Sequence, residues 1–160
     1  MLIITLPPHS CAEWKVISPI GDNSETKTDV TYTQNDAGYS IKLCRDSVNA
    51  IRSRFSITNS LLRFTNKSCP TYQVDRGMSQ NRSTNDAPCI SSPSWSEFIL
   101  GQIDGNSVKS STLLALMNGI SITFYFRLSN GDYRETKFSL YGSKRAMITI
   151  FDEELAIDAS

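Results

Sequence analysis

The chain has 160 residues, with 16 basic against 16 acidic, a pI of about 6.6 and a single histidine, His9. That balance argues against a dedicated nucleic-acid binder, which carries a basic excess, and one histidine near the N-terminus puts most imidazole catalysis and imidazole metal sites out of reach. An apolar fraction of 39% and a mean hydropathy of −0.25 exclude a membrane protein of helical spans and a disordered tail, and a chain this long buries roughly 70% of its unfolded surface without needing a disulfide framework.

In chain order, the first apolar run is Leu2-Ile3-Ile4-Thr5-Leu6, which stops at Pro7-Pro8. It is shorter than the ~20 residues of a membrane-spanning helix. It is also short for a signal-peptide core, and no Lys or Arg precedes it. Yet Ser10-Cys11-Ala12 has the small-residue look of a cleavage site. Two readings stay open for residues 1–12, the remnant of an export signal or a short tail, ahead of a single globular domain at 13–158.

Residues 21–29 read as a loop. Val30 to Thr33 and Tyr39 to Cys44 read as strands around the turn Gln34-Asn35-Asp36-Ala37-Gly38. Ile51 to Ile57 alternates with period two, and Leu61 to Phe64, Thr71 to Val74 and Trp95 to Leu100 read as further strands. Between them, 76–94 reads as a long polar loop. Leu113, Leu114, Leu116 and Met117 crowd one side of a helix from Ser107 to Met117, with Asn106 or Ser107 as N-cap and Asn118-Gly119 as C-cap.

The clearest pattern follows. Ile120, Ile122, Phe124, Phe126 and Leu128 alternate with polar residues and Tyr125, and Ser129-Asn130-Gly131 turns the chain into Asp132 to Leu140. A two-residue turn would set Phe124 opposite Lys137 and place charge on the core face. A three-residue turn with Gly131 in the left-handed region pairs Ile120 with Leu140 and Ile122 with Phe138, so the second register is expected. After Gly142-Ser143, the residues Ala146, Met147, Ile150, Phe151 and Leu155 recur at helical spacing. Lys144-Arg145 at the start of that helix and Asp152-Glu153-Glu154 towards its end oppose its macrodipole. The sum is α+β: a mostly antiparallel β-sheet or sandwich, with a helix before and a helix after the last β-hairpin.

Besides Cys11 the chain has Cys44, Cys69 and Cys89. Cys69 and Cys89 lie beside Pro70 and Pro88 and bracket the polar segment 78–86. A disulfide there would restrict a segment that cannot bury itself, stabilising by roughly 3 kcal/mol. A Cys69–Cys89 bond is expected, with Cys44 a reduced, buried core thiol; three free thiols in a cytosolic protein is the competing reading. No CxxC and no Cys/His cluster suits zinc.

No chemistry is announced. There is no G-x-S-x-G elbow and no histidine outside the N-terminal segment to activate a serine. Asp75, Asp104, Asp132, Asp152, Glu153 and Glu154 supply carboxylates for glycoside hydrolysis, as they would in any chain of this size. No catalytic residue, cofactor or metal is assigned. Arg52, Arg54 and Arg63, with Lys42 and Arg45, read as the solvated face of a sheet, and Trp14, Trp95 and Tyr72 as core aromatics first and contact residues second.

Trp14, then Cys69-Pro70-Thr71-Tyr72-Gln73-Val74-Asp75, then Trp95, a Leu-rich helix, a strand after Gly119, and Phe138-Ser139-Leu140-Tyr141-Gly142-Ser143-Lys144-Arg145-Ala146 follow one another in an order that resembles a known group. It is similar to small exported bacterial proteins of the invasion-associated-locus-B-like group, and to the periplasmic accessory proteins of type VI secretion. The likeness spans about residues 14–151, departing at Gln73, where an Arg is common, and in having no cysteine after the last helix. It implies a periplasmic or secreted location, a binding or accessory role, and a partner that is a protein or envelope component rather than nucleic acid. The loop from Arg76 to Pro93 is long for a compact domain. With Tyr72, Arg76 and Trp95 around it, it reads as the contact surface for such a partner. A small carboxylate-based hydrolase of an envelope glycan is the alternative.

Overall fold

Period-two alternation is the strongest local instruction in this chain, and in the computed structural model it builds two antiparallel sheets whose apolar faces meet. The structure describes residues 14–17, 29–58, 61–65, 69–76, 80–81 and 89–160. The larger sheet contains Lys15–Ile17 (β1), Val30–Gln34 (β2), Tyr39–Arg45 (β3), Ala50–Ile57 (β4), Ile90–Ser91 (β7) and Trp95–Gln102 (β8), in the order β1-β2-β3-β4-β8-β7. The smaller contains Thr71–Val74 (β5), Gln80–Asn81 (β6), Ser121–Arg127 (β10) and Tyr133–Ser139 (β11), in the order β11-β10-β5-β6. Ser107–Lys109 (β9) pairs in parallel with Ala156–Asp158 (β12), and the helices are Ser111–Asn118 (α1) and Ser143–Phe151 (α2).

Aromatic rings fill the space between the sheets. Phe55 of β4 is fully buried and stacks on Phe124 of β10, with centroids 4.2 Å apart and planes 4° from parallel. Phe138 meets both of these rings edge-on, Phe126 meets Phe55 edge-on, and Tyr39 stands edge-on to Phe126, the geometry the ring quadrupole favours. The helices close the remaining core: α2 lies against β1, β2 and β3, and α1 against β8. They bring Leu113, Met147 and Phe151, none more than 1% exposed, into one cluster with the sheets. Trp14 is buried as well and donates its indole N–H to the Ser139 carbonyl at 3.0 Å.

The last hairpin has the three-residue register. Ile122 faces Phe138, Thr123 faces Lys137 and Tyr125 faces Glu135, while Leu140 donates to the Ile120 carbonyl. Gly131 sits at φ +93°, the left-handed conformation the bulged turn demands.

Several local expectations are corrected. Leu61 to Phe64 is not a strand. Phe64 makes one bridge to Leu128, its N–H goes to Pro93 and Thr65's N–H goes to Arg127, so neighbouring bonds reach different elements and no ladder forms. The stretch 76–94 contains β6 and β7. Helix α1 begins only at Ser111, because Ser107–Lys109 is taken up by the ladder with β12. The cap is Ser110, whose Oγ accepts the Leu113 N–H at 3.0 Å. Gly119 is not in the left-handed region, with φ −79° and ψ 172°. Helix α2 ends at Phe151, so Leu155 reaches the core from the turn beyond it. Cys44 is only half-buried: Ile41 and Leu43 take the inward positions of β3, and Cys44 alternates to the outer face opposite Arg52. Cys69 and Cys89 stand at disulfide distance, with Cα atoms 6.0 Å apart, tying the segments that lead into β5 and β7.

Candidate functional site

The inner face of the larger sheet is covered by the smaller sheet and the helices, so the alternation leaves β3, β4 and β8 with a second, outward face. Arg52 and Arg54 of β4 lie there opposite Ile99 and Glu97 of β8, and Ser56 lies opposite Trp95. A register shift between Ile51 and Arg52 puts one extra residue on β8 while keeping Arg52 and Glu97 on the same face as diagonal neighbours.

Five side chains form a continuous line across this face. At one end Asp46, in the turn between β3 and β4, accepts the Val48 and Ala50 N–H groups through Oδ1 and Arg52 Nε through Oδ2 at 2.6 Å. Arg52 then donates to Glu97 Oε1 at 2.9 Å, and Arg54 donates from Nε and Nη2 to Glu97 Oε2 at 3.0 and 2.9 Å. At the far end the Arg54 guanidinium lies 4.0 Å above the ring of Trp95, a cation–π arrangement. Glu97 is the least exposed of the charged members at 13%, against 40% for Arg54. Single pairs at such a surface contribute at most about 1 kcal/mol. Their combined effect is geometric, holding an arginine and a tryptophan in fixed positions on a flat face before anything binds.

The electrostatics follow from the same contacts. Partial burial pushes the Asp46 carboxyl up, but hydrogen bonds from Arg52 and the Ala50 and Val48 amides outweigh it and hold the group below its ordinary value. Asp46 and Glu97 raise the Arg52 guanidinium further. Burial, then the nearby Glu97 and Asp46 carboxylates, push the Cys44 thiol up, so it is a poor nucleophile at neutral pH. Asp46 and Glu97 are two carboxylates sharing one guanidinium. With its carboxyl held below the ordinary value, Asp46 is not poised as a general acid. The carboxylates named from the sequence are elsewhere: Asp75 accepts the Ile120 and Ser121 N–H groups, and Asp104, Asp132 and Asp152 belong to turns. Among the described residues no group of three or more His, Cys, Asp or Glu could hold a metal ion, and no helix is long and apolar enough to cross a membrane.

The structure separates the three expected contact residues. Tyr72 is 2% exposed and packs against Phe98 and Phe124, so its ring is inside the core and not on the surface. Arg76 is exposed next to Asp75, which is clamped to the start of β10. Trp95 lies near the other end, where Pro93 bonds Phe64 and Phe64 bridges Leu128. Arg76 thus follows the residue tied to the start of β10, and Trp95 lies by the residues tied to its far end. Residues 77–79 and 82–88 of the loop lie outside the described residues. The basic face is realised in part: Lys42, Arg52 and Arg54 share it, while Arg45 points to Asn49 at a hairpin end and Arg63 is outside the sheet. Sequence reasoning missed Asp46 and Glu97. The available signal was Trp95-x-Glu97 against Arg52-x-Arg54, both at period two, but the pairing of β4 with β8 is not local.

Two antiparallel sheets, an aromatic core and a helix on either side of the last hairpin define an α+β sandwich with one open, charged sheet face. No protein-family model matches the sequence, and no curated protein matches it. The fold is similar to that of invasion associated protein B from Bartonella henselae, known from a crystal structure. At 13% sequence identity the match covers 87% of this chain and 92% of that one, with a TM-score of 0.56. The resemblance read from the sequence therefore holds as a likeness of fold.

Proposed function

We propose that this chain is an exported, non-enzymatic accessory or interaction protein of the bacterial envelope, acting in secretion or host interaction by contacting a protein partner through the outer face of the larger sheet. The observation that carries this reading is the Asp46–Arg52–Glu97–Arg54–Trp95 line, a preformed strip of the residue types that dominate protein contacts. Arg and Trp held in place before binding lose less side-chain entropy on association. Lys15, Lys42, Arg52 and Arg54 against Asp46 and Glu97 leave this face two positive charges in excess, which suits an acidic protein surface. Export is supported by the Cys69–Cys89 geometry, since disulfides persist in oxidising compartments, and by the fold shared with a protein described as invasion associated.

The test is a photo-crosslinking amino acid placed at position 95 and, as a control, at the exposed Tyr133. A discrete protein adduct from position 95, absent at 133 and lost on Arg54→Ala, is the expected result. Equal adducts at both positions would overturn the assignment of this face. A parallel variant with 78–86 replaced by a Gly-Ser linker separates a contribution of that loop. Glycan hydrolysis by the wild type that disappears in Glu97→Gln would establish the hydrolase reading instead.

A further inference from the structure

A second surface, away from that face, carries its own inference. Helices α1 and α2 leave between them two depressions of about 230 and 610 Å³ that adjoin along Met117, Lys144 and Ile148. Their floor is apolar, formed by Leu114, Met117, Met147, Ile148 and Leu155. At the mouth stands Tyr141, 80% exposed. A large side chain so open to water at the edge of an apolar groove is the kind of feature that marks an interaction site. Methionines at its floor suit a surface that adapts to a partner.

The two ends differ in charge. Lys144 and Arg145 mark the end at the start of α2, and Asp152 and Glu153 the end beyond its last turn. Along its length the groove is walled by helix surfaces whose mid-helix backbone groups are bonded within themselves; Leu140 to Gly142 line it before α2, and the three-residue β12 reaches it only through Ile157, so no strand edge runs along α2. A segment lying here must satisfy its own backbone hydrogen bonds, which an α-helix does and an extended peptide does not. Helix α2 has nine residues, about 13 Å. That length accommodates apolar anchors at i, i+4 and i+7 of an incoming helix. A helix stabilised in the ordinary way carries acids in its first turn and bases in its last. Laid parallel to α2, its acids meet Lys144 and Arg145 and its bases meet Asp152 and Glu153.

We infer that the α1–α2 groove docks an amphipathic helix of a partner protein, parallel to α2, acidic at its first turn and basic at its last. This goes beyond the outer-face reading and does not rest on it. The probe is a fluorescein-labelled helical peptide with leucines at i, i+4 and i+7, glutamates in the first turn and lysines in the last. Its twin replaces every charged residue by glutamine. Anisotropy titrations should show saturable binding of the charged peptide, about tenfold tighter than its twin at low salt, from several rim charge pairs acting together. The advantage should shrink in high salt. Lys144→Glu with Arg145→Glu should erase the difference. Ile148→Glu, with an unchanged melting temperature, should abolish binding of both. Trp95→Ala should change neither, which keeps this result separate from the outer-face test. Absence of saturable binding, equal affinity for the two peptides, or a preference that survives the double charge reversal would overturn the inference. So would a protein that sediments as a dimer and is dissociated by Ile148→Glu, since the occupant would then be a second copy of this chain.

Discussion

Gly119→Ala separates two reasons for a glycine at the end of a helix. If Gly119 were there for conformational freedom, alanine would be strained only in a left-handed conformation. The observed φ of −79° and ψ of 172° are open to any residue. On backbone grounds alone, alanine should therefore stabilise by roughly 0.4–1 kcal/mol, by restricting the unfolded chain. The packing says the opposite. A Cβ at 119 would stand 2.6 Å from Val74 Cγ1, 2.8 Å from the Ala115 carbonyl oxygen and 3.0 Å from Leu140 Cδ1. The carbonyl belongs to α1, and Gly119 already donates its N–H to it at 2.7 Å, so backbone must move. Overpacking of this kind costs about 1–3 kcal/mol, which lowers the melting temperature by roughly 4–8 °C for a midrange cost in a chain of this size. Thermal and urea unfolding of Gly119→Ala should show that loss. Adding Val74→Ala removes the nearest contact and should make the double variant less destabilised than the sum of the singles. Gly131→Ala is the control of opposite kind: nothing lies within 4 Å of its Cβ, but φ is +93°, so it should lose about 1–2 kcal/mol from conformation alone. A Gly119→Ala protein as stable as the wild type, or strict additivity with Val74→Ala, would refute the close-approach explanation.

Arg52→Met should destabilise by about 2 kcal/mol, between the values for exposed and buried pairs, because it leaves Asp46 and Glu97 without their shared cation. Its pH dependence has a definite sign: Asp46 is held below its ordinary value, so wild type keeps that stabilisation above the unfolded value and loses it as pH falls through the lower folded value, below about pH 4; in the variant this acid-side loss should be smaller in urea melts run across that range, with the Ala50 and Val48 amides still holding the carboxylate. Cys69→Ser with Cys89→Ser should cost about 3 kcal/mol, and alkylation of native wild type followed by mass measurement should label neither of those two cysteines. Lys144→Gln with Arg145→Gln should lower stability by about 1 kcal/mol in a chemical melt, where a response to α2's own dipole would raise it.

What the sequence disclosed follows from the range of the interaction. The β10–β11 register was legible because only a three-residue turn kept Lys137 and Glu135 off the core face, a decision made within some twenty residues. The strands β2, β3, β4 and β8 were legible from their own alternation, but which of them lie side by side was not. Trp95 and Glu97 meet Arg54 and Arg52 across a non-local pairing, so the line of charges on the outer face had no local signature. Tyr72 was legible as a core aromatic before a contact residue, and the parity of β5 against β10 turns its ring towards Phe98 and Phe124. Cys44 was misplaced by one step of that same parity.

The charges of α2 show how a local rule fails when its neighbour is unseen. Lys144 and Arg145 stand in the first turn and Asp152, Glu153 and Glu154 beyond the last, the reverse of what the helix's own dipole favours. The helix forms because Ala146, Met147 and Phe151 are buried on one face, and that burial outweighs end effects of a few tenths of a kcal/mol each. Across the groove, α1 has no acidic residue in its first turn and no basic one in its last. Ser143 at the start of α2 donates its Oγ to the Leu116 carbonyl at 2.7 Å, one of the groups α1 leaves unsatisfied at its end. At the other end Ser110 donates its N–H to Asp158, shortly after α2 stops. The two helices therefore run antiparallel, and Lys144 lines the same depression as Met117 and Asn118 of α1's last turn. The bases that are wrong for α2 are right for α1, because Lys144 sits by its C-terminal end. Each helix carries half of an arrangement that stabilises the pair, and neither segment read alone contains it.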